Sequence, residues 1–390
     1  MRKNSSNELK YEYSSITFQV FFIIFILQTN VGIAQTTLPK PDHIVILTLE
    51  NHSFDQIIGS PAAPYINKLA IDTTSALFTQ SYGTSHPSQP NYLTLYSGSD
   101  QGVTDDLIPS GIPFTTANLG RQLIDSGKSY NTYSEDLPSV GYDGELFANY
   151  ARRHNPAANW MGNGTNQISP ATNQPFTAFL SNDFTLLPTV CFVQPNVSND
   201  MHDGTDPDRI TTCDNWIYNN MDTYINWAKG NNSLFILTFD EDNDSAFNHI
   251  TTIFTGKVVL SGQYSTKINH YSILHTIEKI YGLPFIGDSI SYSPITYCWR
   301  KNYPQDSMSN IKSEPNGLIY PNPGKDFFYI YLSKYQDATA DIFDLNGILI
   351  QTIPLISNKT EIKIDNLRGG LYLVKINSNG GIIQKKFIKI

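Results

Sequence analysis

The chain has 390 residues, 40% apolar and 16% charged, enough for one large domain or two unequal ones and too apolar for wholesale disorder. Its net charge is −9, with no long basic run. That argues against nucleic acid as a main partner, because phosphate-backbone binding needs clustered Lys and Arg.

Arg2 and Lys3 precede a polar stretch, the apolar run Phe18–Leu27 and the small-residue exit Val31-Gly32-Ile33-Ala34. This predicts a signal peptide over 1–34 and passage through the periplasm. A membrane anchor is the alternative, but the run is about half of the ~20 residues a span needs. Such a setting permits a disulfide among Cys191, Cys213 and Cys298, with at least one thiol left over.

From Pro41 to about Tyr297, strand-like runs alternate with helical patterns. The expected strands are His43–Leu49, Ser129–Tyr133, Thr189–Val193, Ser233–Phe239 and Thr251–Val259. The expected helices are Ala117–Ser126, Asn215–Ala228 and Tyr271–Tyr281, the last stopped by Gly282-Leu283-Pro284. This alternation predicts a layered α/β domain over 35–300, with a mainly parallel central sheet flanked by helices. Residues 301–317 are polar and Pro-containing, a linker. From 318 to 390 the texture changes to short strands with an Asn346-Gly347 turn, a small all-β sandwich.

Four segments carry chemistry. The His43–Leu49 run delivers Glu50 and Asn51 together, oxygen donors suited to a hard cation or, equally, a turn with a helix cap. Ser88 stands just before Pro90, where a helix should begin. A hydroxyl there meets free N–H groups that favour an anion, although a capping serine explains it too. Ser85 is the rival nucleophile, but Gly83-Thr84-Ser85-His86-Pro87 lacks the closing glycine of an esterase elbow. After Thr189–Val193 come Asn196, Asp200, His202 and Asp203, a ligand or acid cluster or simply a polar loop. Ser233–Phe239 ends in Asp240-Glu241-Asp242, adjacent carboxylates that are costly unless a cation compensates them. An EF-hand reading of that loop fails, because Ser245 and Thr251 stand at the glycine and glutamate positions. His270 opens the last helix. His43, His52, His86, His249 and His275 carry no comparable signal.

Together these segments resemble the phosphoesterase family of bacterial acid phosphatases and phosphatidylcholine-type phospholipases C, within the alkaline phosphatase superfamily. The motifs are Glu50-Asn51-His52-Ser53-Phe54-Asp55, Ser85-His86-Pro87-Ser88-Gln89-Pro90-Asn91-Tyr92, Thr238-Phe239-Asp240-Glu241 and Asn269-His270-Tyr271-Ser272. The resemblance implies an alkaline-phosphatase-like fold and a metal-dependent acid phosphatase acting on phosphate monoesters. Glu50, Asn51, Asp240 and Glu241 match metal-binding positions, Ser88 the nucleophile and Asn91 a phosphate-oxygen contact. His202 and His270 match histidines that bind a second metal in the wider superfamily and contact substrate or protonate the leaving group in the acid phosphatase branch. One divalent cation is therefore expected. The departure from the two-metal pattern at Asp240-Glu241 weighs against a second. A phosphodiesterase or phospholipase C acting on lipid head groups and a non-catalytic surface-binding protein are the competing readings.

The tail resembles the C-terminal sorting domain of the type IX secretion system. The matching residues are Ile319-Tyr320-Pro321-Asn322-Pro323, Asp341-Ile342-Phe343-Asp344-Leu345-Asn346-Gly347, Leu367-Arg368-Gly369-Gly370-Leu371-Tyr372 and Lys386-Phe387-Ile388-Lys389. It implies the type IX machinery as a partner, and a mature protein that is secreted or held on the outer cell surface.

Overall fold

A computed structural model describes residues 38–179, 183–244, 247–300, 317–320, 322–332, 335, 337–345, 347–357, 359–378 and 381–390. The expected leader and all but the last residue of the expected linker lie outside these.

Eleven strands precede the tail: β1 (His43–Leu49), β2 (Ser75–Tyr82), β3 (Tyr130–Ser134), a small hairpin of β4 (Leu146–Phe147) and β5 (Tyr150–Ala151), β6 (Asn173–Pro175), β7 (Val190–Gln194), β8 (Ser233–Phe239), β9 (His249–Thr255), β10 (Gly262–Tyr264) and β11 (Ile268–Asn269). All but the hairpin form a nine-stranded sheet in the order β10-β2-β9-β8-β1-β7-β3-β6, with β11 also on β2. β9 alone runs antiparallel to its neighbours. The sheet is thus mainly parallel, as expected.

The central strands read as unbroken apolar runs because both faces are covered. Val45, Leu47 and Leu49 of β1 point into one core, with Phe235, Leu237 and Phe239 of β8. Ile44 and Ile46, with Leu234 and Ile236, point into the other. The first core is closed by α1 (Phe54–Ile57), α2 (Pro64–Ala70) and α5 (Asp208–Gly230), the second by α3 (Ser88–Ser97), α4 (Leu119–Asp125) and α6 (His270–Tyr281). Each fully buried Leu or Ile contributes about 2 kcal/mol.

Local chemistry sets the ends. Asn269 caps α6, its side chain accepting from the Ser272 N–H at 3.1 Å, and Gly282 ends it at φ +68°. Gly98 ends α3 in the same left-handed geometry, and a Cβ there would meet the Ile286 carbonyl oxygen at 2.2 Å. Only glycine fits both demands. The segment expected as a strand to Val259 leaves the sheet after Thr255. No disulfide forms: Cys191, Cys213 and Cys298 are buried free thiols, and burial pushes each thiol pKa up.

The tail is a two-sheet sandwich. One sheet runs β12 (Gly317–Tyr320), β13 (Phe327–Leu332), β16 (Lys359–Lys363). The other runs β15 (Leu349–Pro354), β14 (Thr339–Phe343), β17 (Gly370–Ser378), β18 (Gly381–Lys389). Their inner faces meet through Phe328, Ile330 and Ile362 on one side and Ile342, Val374 and Phe387 on the other. β14 and β15 pair antiparallel, with Gly347 of the expected turn between them at φ +77°; Asn346 lies outside the described residues.

Candidate active site

Parallel strands bring their carboxyl ends to one sheet edge. β1 and β8 are neighbours in register, Leu49 opposite Phe239. Glu50 and Asp240 therefore emerge side by side, and Asp240 N–H donates to the Leu49 carbonyl at 2.9 Å. Asn51 follows at φ +55°, a backbone state that Asn tolerates better than most residues. Its own N–H donates to Asp240 Oδ1 at 3.1 Å.

β2 ends at the same edge and feeds residues 83–87 into α3. Ser88 opens that helix and is buried. Its Oγ lies 2.9 Å from Glu50 Oε2 and 3.2 Å from Glu241 Oε1. Asn91, one turn on, holds the loop together. Its Oδ1 accepts from Thr84 N–H, Thr84 Oγ1–H and Ser85 N–H, and its Nδ2 donates to the Ser85 and Pro87 carbonyls and, at 3.4 Å, to Glu241 Oε2. At the helix start, the Gln89 N–H is taken by Asp106 Oδ1 at 2.9 Å.

Asn248 ties this loop to the acidic one. Its Oδ1 accepts from Asp242 N–H and its Nδ2 donates to the Ser85 carbonyl, both at 2.9 Å. His86 Nδ1 donates to Glu241 Oε2 at 2.8 Å. On the far side of Glu50, the Tyr92 hydroxyl donates to Oε1, and His154 Nε2 stands 3.4 Å from the same oxygen. His154 Nδ1 donates to Asp200 Oδ2 at 3.0 Å, and the Tyr92 ring stacks on the imidazole.

The electrostatics are lopsided. Glu50, Asp200, Asp240 and Glu241 are all buried. Among the described residues no Lys or Arg forms an ion pair with any of them; their ion-pair partners are His86 and His154, while the charges of Arg153 and His202 act on Asp200 from farther off. Desolvation, then the Asp240 charge, pushes Glu50 up to about 8. Desolvation, then Glu50, does the same to Glu241. Asp200 rises to about 8, mainly by burial, and burial with Glu241 lifts Asp240 well above the carboxylate range. Burial lowers His154 and His270 to about 4.

These features fit a cation. Asp240 Oδ2 is buried without a hydrogen-bond partner among the described residues, and so are His154 Nε2 and His270 Nδ1. Such lone pairs are costly unless a ligand takes them. Glu50, Asn51, Asp240 and Glu241 offer the oxygen set of a hard cation. Glu50, His154 and His202 form a second possible metal-binding group, with ligand atoms all within 4.8 Å of one another.

The structure thus brings Glu50, Asn51, Asp240, Glu241, Ser88 and Asn91 into one cluster. His202 lies on the far side of Glu50, its ring 5.6 Å from that of His154. Arg153 Nη2 donates to His202 Nε2 at 3.2 Å, and His202 Nδ1 donates to Asp203 Oδ1 at 2.7 Å. His270 sits behind Asp240, its Nε2 donating to the Phe239 carbonyl at 2.9 Å.

Sequence reading passed over His154, Tyr92, His86 and Asn248. His154 lies in a short 3-10 turn, Arg152–His154, after a two-residue strand. No periodic pattern or motif marks it. His86 and Tyr92 stand inside the serine motif, the one signal that could have found them.

Residues 60–284 match a family model described as the Phosphoesterase family, and residues 318–390 one described as the Secretion system C-terminal sorting domain. A phosphatidylinositol-3-phosphatase from Mycobacterium tuberculosis is 41% identical over 274 residues, 69% of this chain and 87% of that protein. A phosphate-repressible acid phosphatase from Penicillium chrysogenum is 30% identical over 259 residues, 63% of this chain. The chain spans 60% of the fungal protein's length. A solved structure from Vibrio parahaemolyticus, described as a protein in the alkaline phosphatase superfamily, is 13% identical with a TM-score of 0.46, covering 85% of this chain and 81% of that one. No helix among the described residues is long and apolar enough to cross a membrane.

Proposed function

The chain belongs to the phosphoesterase family and is a hydrolase of phosphoric esters; from that premise we propose that it is an exported acid phosphatase cleaving phosphate monoesters through a phosphoserine on Ser88. The observation that carries this reading is the Ser88 hydroxyl, buried at a helix start between the carboxylates of Glu50 and Glu241.

Ser88 Oγ attacks phosphorus in line. The Oγ–P bond forms as the bond from phosphorus to the leaving oxygen breaks, and the hydroxyl proton passes to solvent. A divalent cation held by Glu50, Asn51, Asp240 and Glu241 would supply Lewis-acid charge, lowering the serine pKa and polarising a phosphoryl oxygen. The N-terminus of α3 adds its dipole to the stabilisation of charge on phosphorus, and Asn91 keeps the serine loop in place.

The leaving oxygen needs a proton. His270 donates its Nε2 proton to the Phe239 carbonyl and keeps a bare lone pair on Nδ1. That suits a ligand better than an acid. His202 is our choice, since a proton on Nε2 need only displace the Arg153 contact. Water then attacks the phosphoserine, releasing phosphate and restoring the hydroxyl.

The first relative cited acts, by its name, on a phosphoinositide, so a phosphoinositide monoester belongs in any substrate screen. The sorting-domain match supports export, with residues 35–300 as the working part and the tail as the address. The test is Ser88→Ala with an aryl monophosphate. Turnover should fall by at least about 10³-fold, and acid quenching of the wild type should trap phosphate on Ser88. Near-wild-type turnover in the variant would sink the scheme.

A further inference from the structure

Three groups beside the cluster, His52, Asp206 and Arg209, take no part in the chemistry above. His52 is fully buried, its Nδ1 2.8 Å from the Glu50 carbonyl oxygen and its Nε2 3.0 Å from Asp206 Oδ1. Asp206 Oδ1 also accepts from Arg209 Nε at 2.7 Å, and Arg209 Nη1 donates to the His202 carbonyl at 3.2 Å. A chain of bonds therefore runs from the end of β1 to a guanidinium on the first turn of α5. Two acceptors hold that fork at fixed positions, which lowers the entropy cost of binding an anion.

Arg209 lines a cleft of about 400 Å³ with Asn51, His86, Pro87, Glu241, Asn243 and Asp244. Glu241 is the carboxylate against which Ser88 rests, so the cleft opens beside the reacting hydroxyl. Asn51, His86, Asn243 and Arg209 can all donate hydrogen bonds into it, and among the described residues Arg209 is the one Lys or Arg in the lining. Among the described residues Pro87 is its one apolar side chain. Asp244 is exposed, at the outer rim.

A phosphate diester would have to lay its second organic arm against these polar groups, where it buries donors without partners. A monoester presents a charged oxygen there instead, which a guanidinium binds as a charge-assisted pair. We propose that Arg209 is the specificity-determining residue of the site, selecting monoesters over diesters by binding the extra anionic oxygen, and that His52 and Asp206 position it. This rests on the phosphoesterase mechanism proposed above.

The test compares the full-length protein with Arg209→Met and Asp206→Asn on p-nitrophenyl phosphate and bis-p-nitrophenyl phosphate, with inorganic phosphate as inhibitor and thermal unfolding as a control. Arg209→Met should lose on the order of 100-fold in kcat/KM for the monoester while diester hydrolysis stays within about 3-fold. Its inhibition constant for phosphate should rise at least about 10-fold. Asp206→Asn keeps the Arg209 guanidinium and loosens its anchor, so it should show a smaller loss confined to the monoester. It decides the matter if Arg209→Met fails to fold. Equal losses on both esters, or no loss on either, would overturn the inference. A wild type inactive on both esters with every cation tried would instead overturn the phosphoesterase mechanism.

Discussion

Removing the divalent cation should make the stability of this protein fall as pH rises above neutrality. In the metal-free fold Glu50, Asp200 and Glu241 hold their protons up to about pH 8, whereas in the unfolded chain they release them near pH 4. Between those limits the folded state binds more protons than the unfolded state, so the unfolding free energy drops with rising pH. Below about pH 6.5 His154 and His270 work the other way: the unfolded chain takes up protons that these buried rings refuse. From pH 6.5 to 8 the histidines shed what remains of that difference and the carboxylates dominate the slope. Each proton kept with a folded pKa of about 8 costs roughly 1.6 kcal/mol over that interval. Three such groups give about 5 kcal/mol, and Asp240, also held protonated by burial, adds to the same slope. For a fold of this size that is a fall of roughly 3 to 15 °C in melting temperature. A bound cation requires deprotonated ligands, so its stabilisation should grow over the same interval and cancel or reverse the slope. The assay is thermal unfolding in EDTA and in saturating Mg²⁺, Ca²⁺, Mn²⁺ or Zn²⁺ at pH 6.5, 7.25 and 8. Glu241→Gln should remove about one proton's share of the slope. A metal-free melting temperature that is flat or rising over this interval, with no response to any cation, would refute the reasoning.

Two more outcomes follow from single contacts. Asn248 sits at φ +48° and bridges the serine loop to the acidic loop. Asn248→Gly removes both bonds without straining the backbone, so kcat should fall on the order of 10-fold with little change in melting temperature. Gly83→Ala should do the same from the other side, because its Cβ would lie 2.4 Å from Asn248 Oδ1; wild-type kcat in both variants would show that the bridge does not position the site. The buried hydroxyls of Tyr96 and Tyr130 face each other, and that of Tyr96 also meets the Gly120 backbone. Tyr96→Phe should therefore cost about 1 kcal/mol, measured by urea unfolding, because it leaves the Tyr130 hydroxyl buried and unpaired; unchanged or raised stability would mean that the pair contributes nothing.

By itself the sequence determined the layered α/β class, the all-β tail and the segments that meet at the site. The reason is local: β1 and β8 are buried on both faces and so read as apolar runs, and α6 carries its cap and its stop within its own residues. β2 escaped notice because its buried contacts include hydroxyl pairs, Ser75 with Thr255 and Ser81 with Thr252, which carry no apolar period. The runs Glu50-Asn51 and Asp240-Glu241 and the serine motif were legible because each is a short run of consecutive residues. What only the tertiary structure decided is how these runs are joined. The register of β1 against β8 sets Glu50 beside Asp240. His154 reaches Glu50 from a turn that no pattern marks, and the chain from His52 through Asp206 to Arg209 spans more than 150 positions. Contacts of that kind depend on strand order and crossover paths. One sequence read along its length records the residues but not which of them the fold will make neighbours.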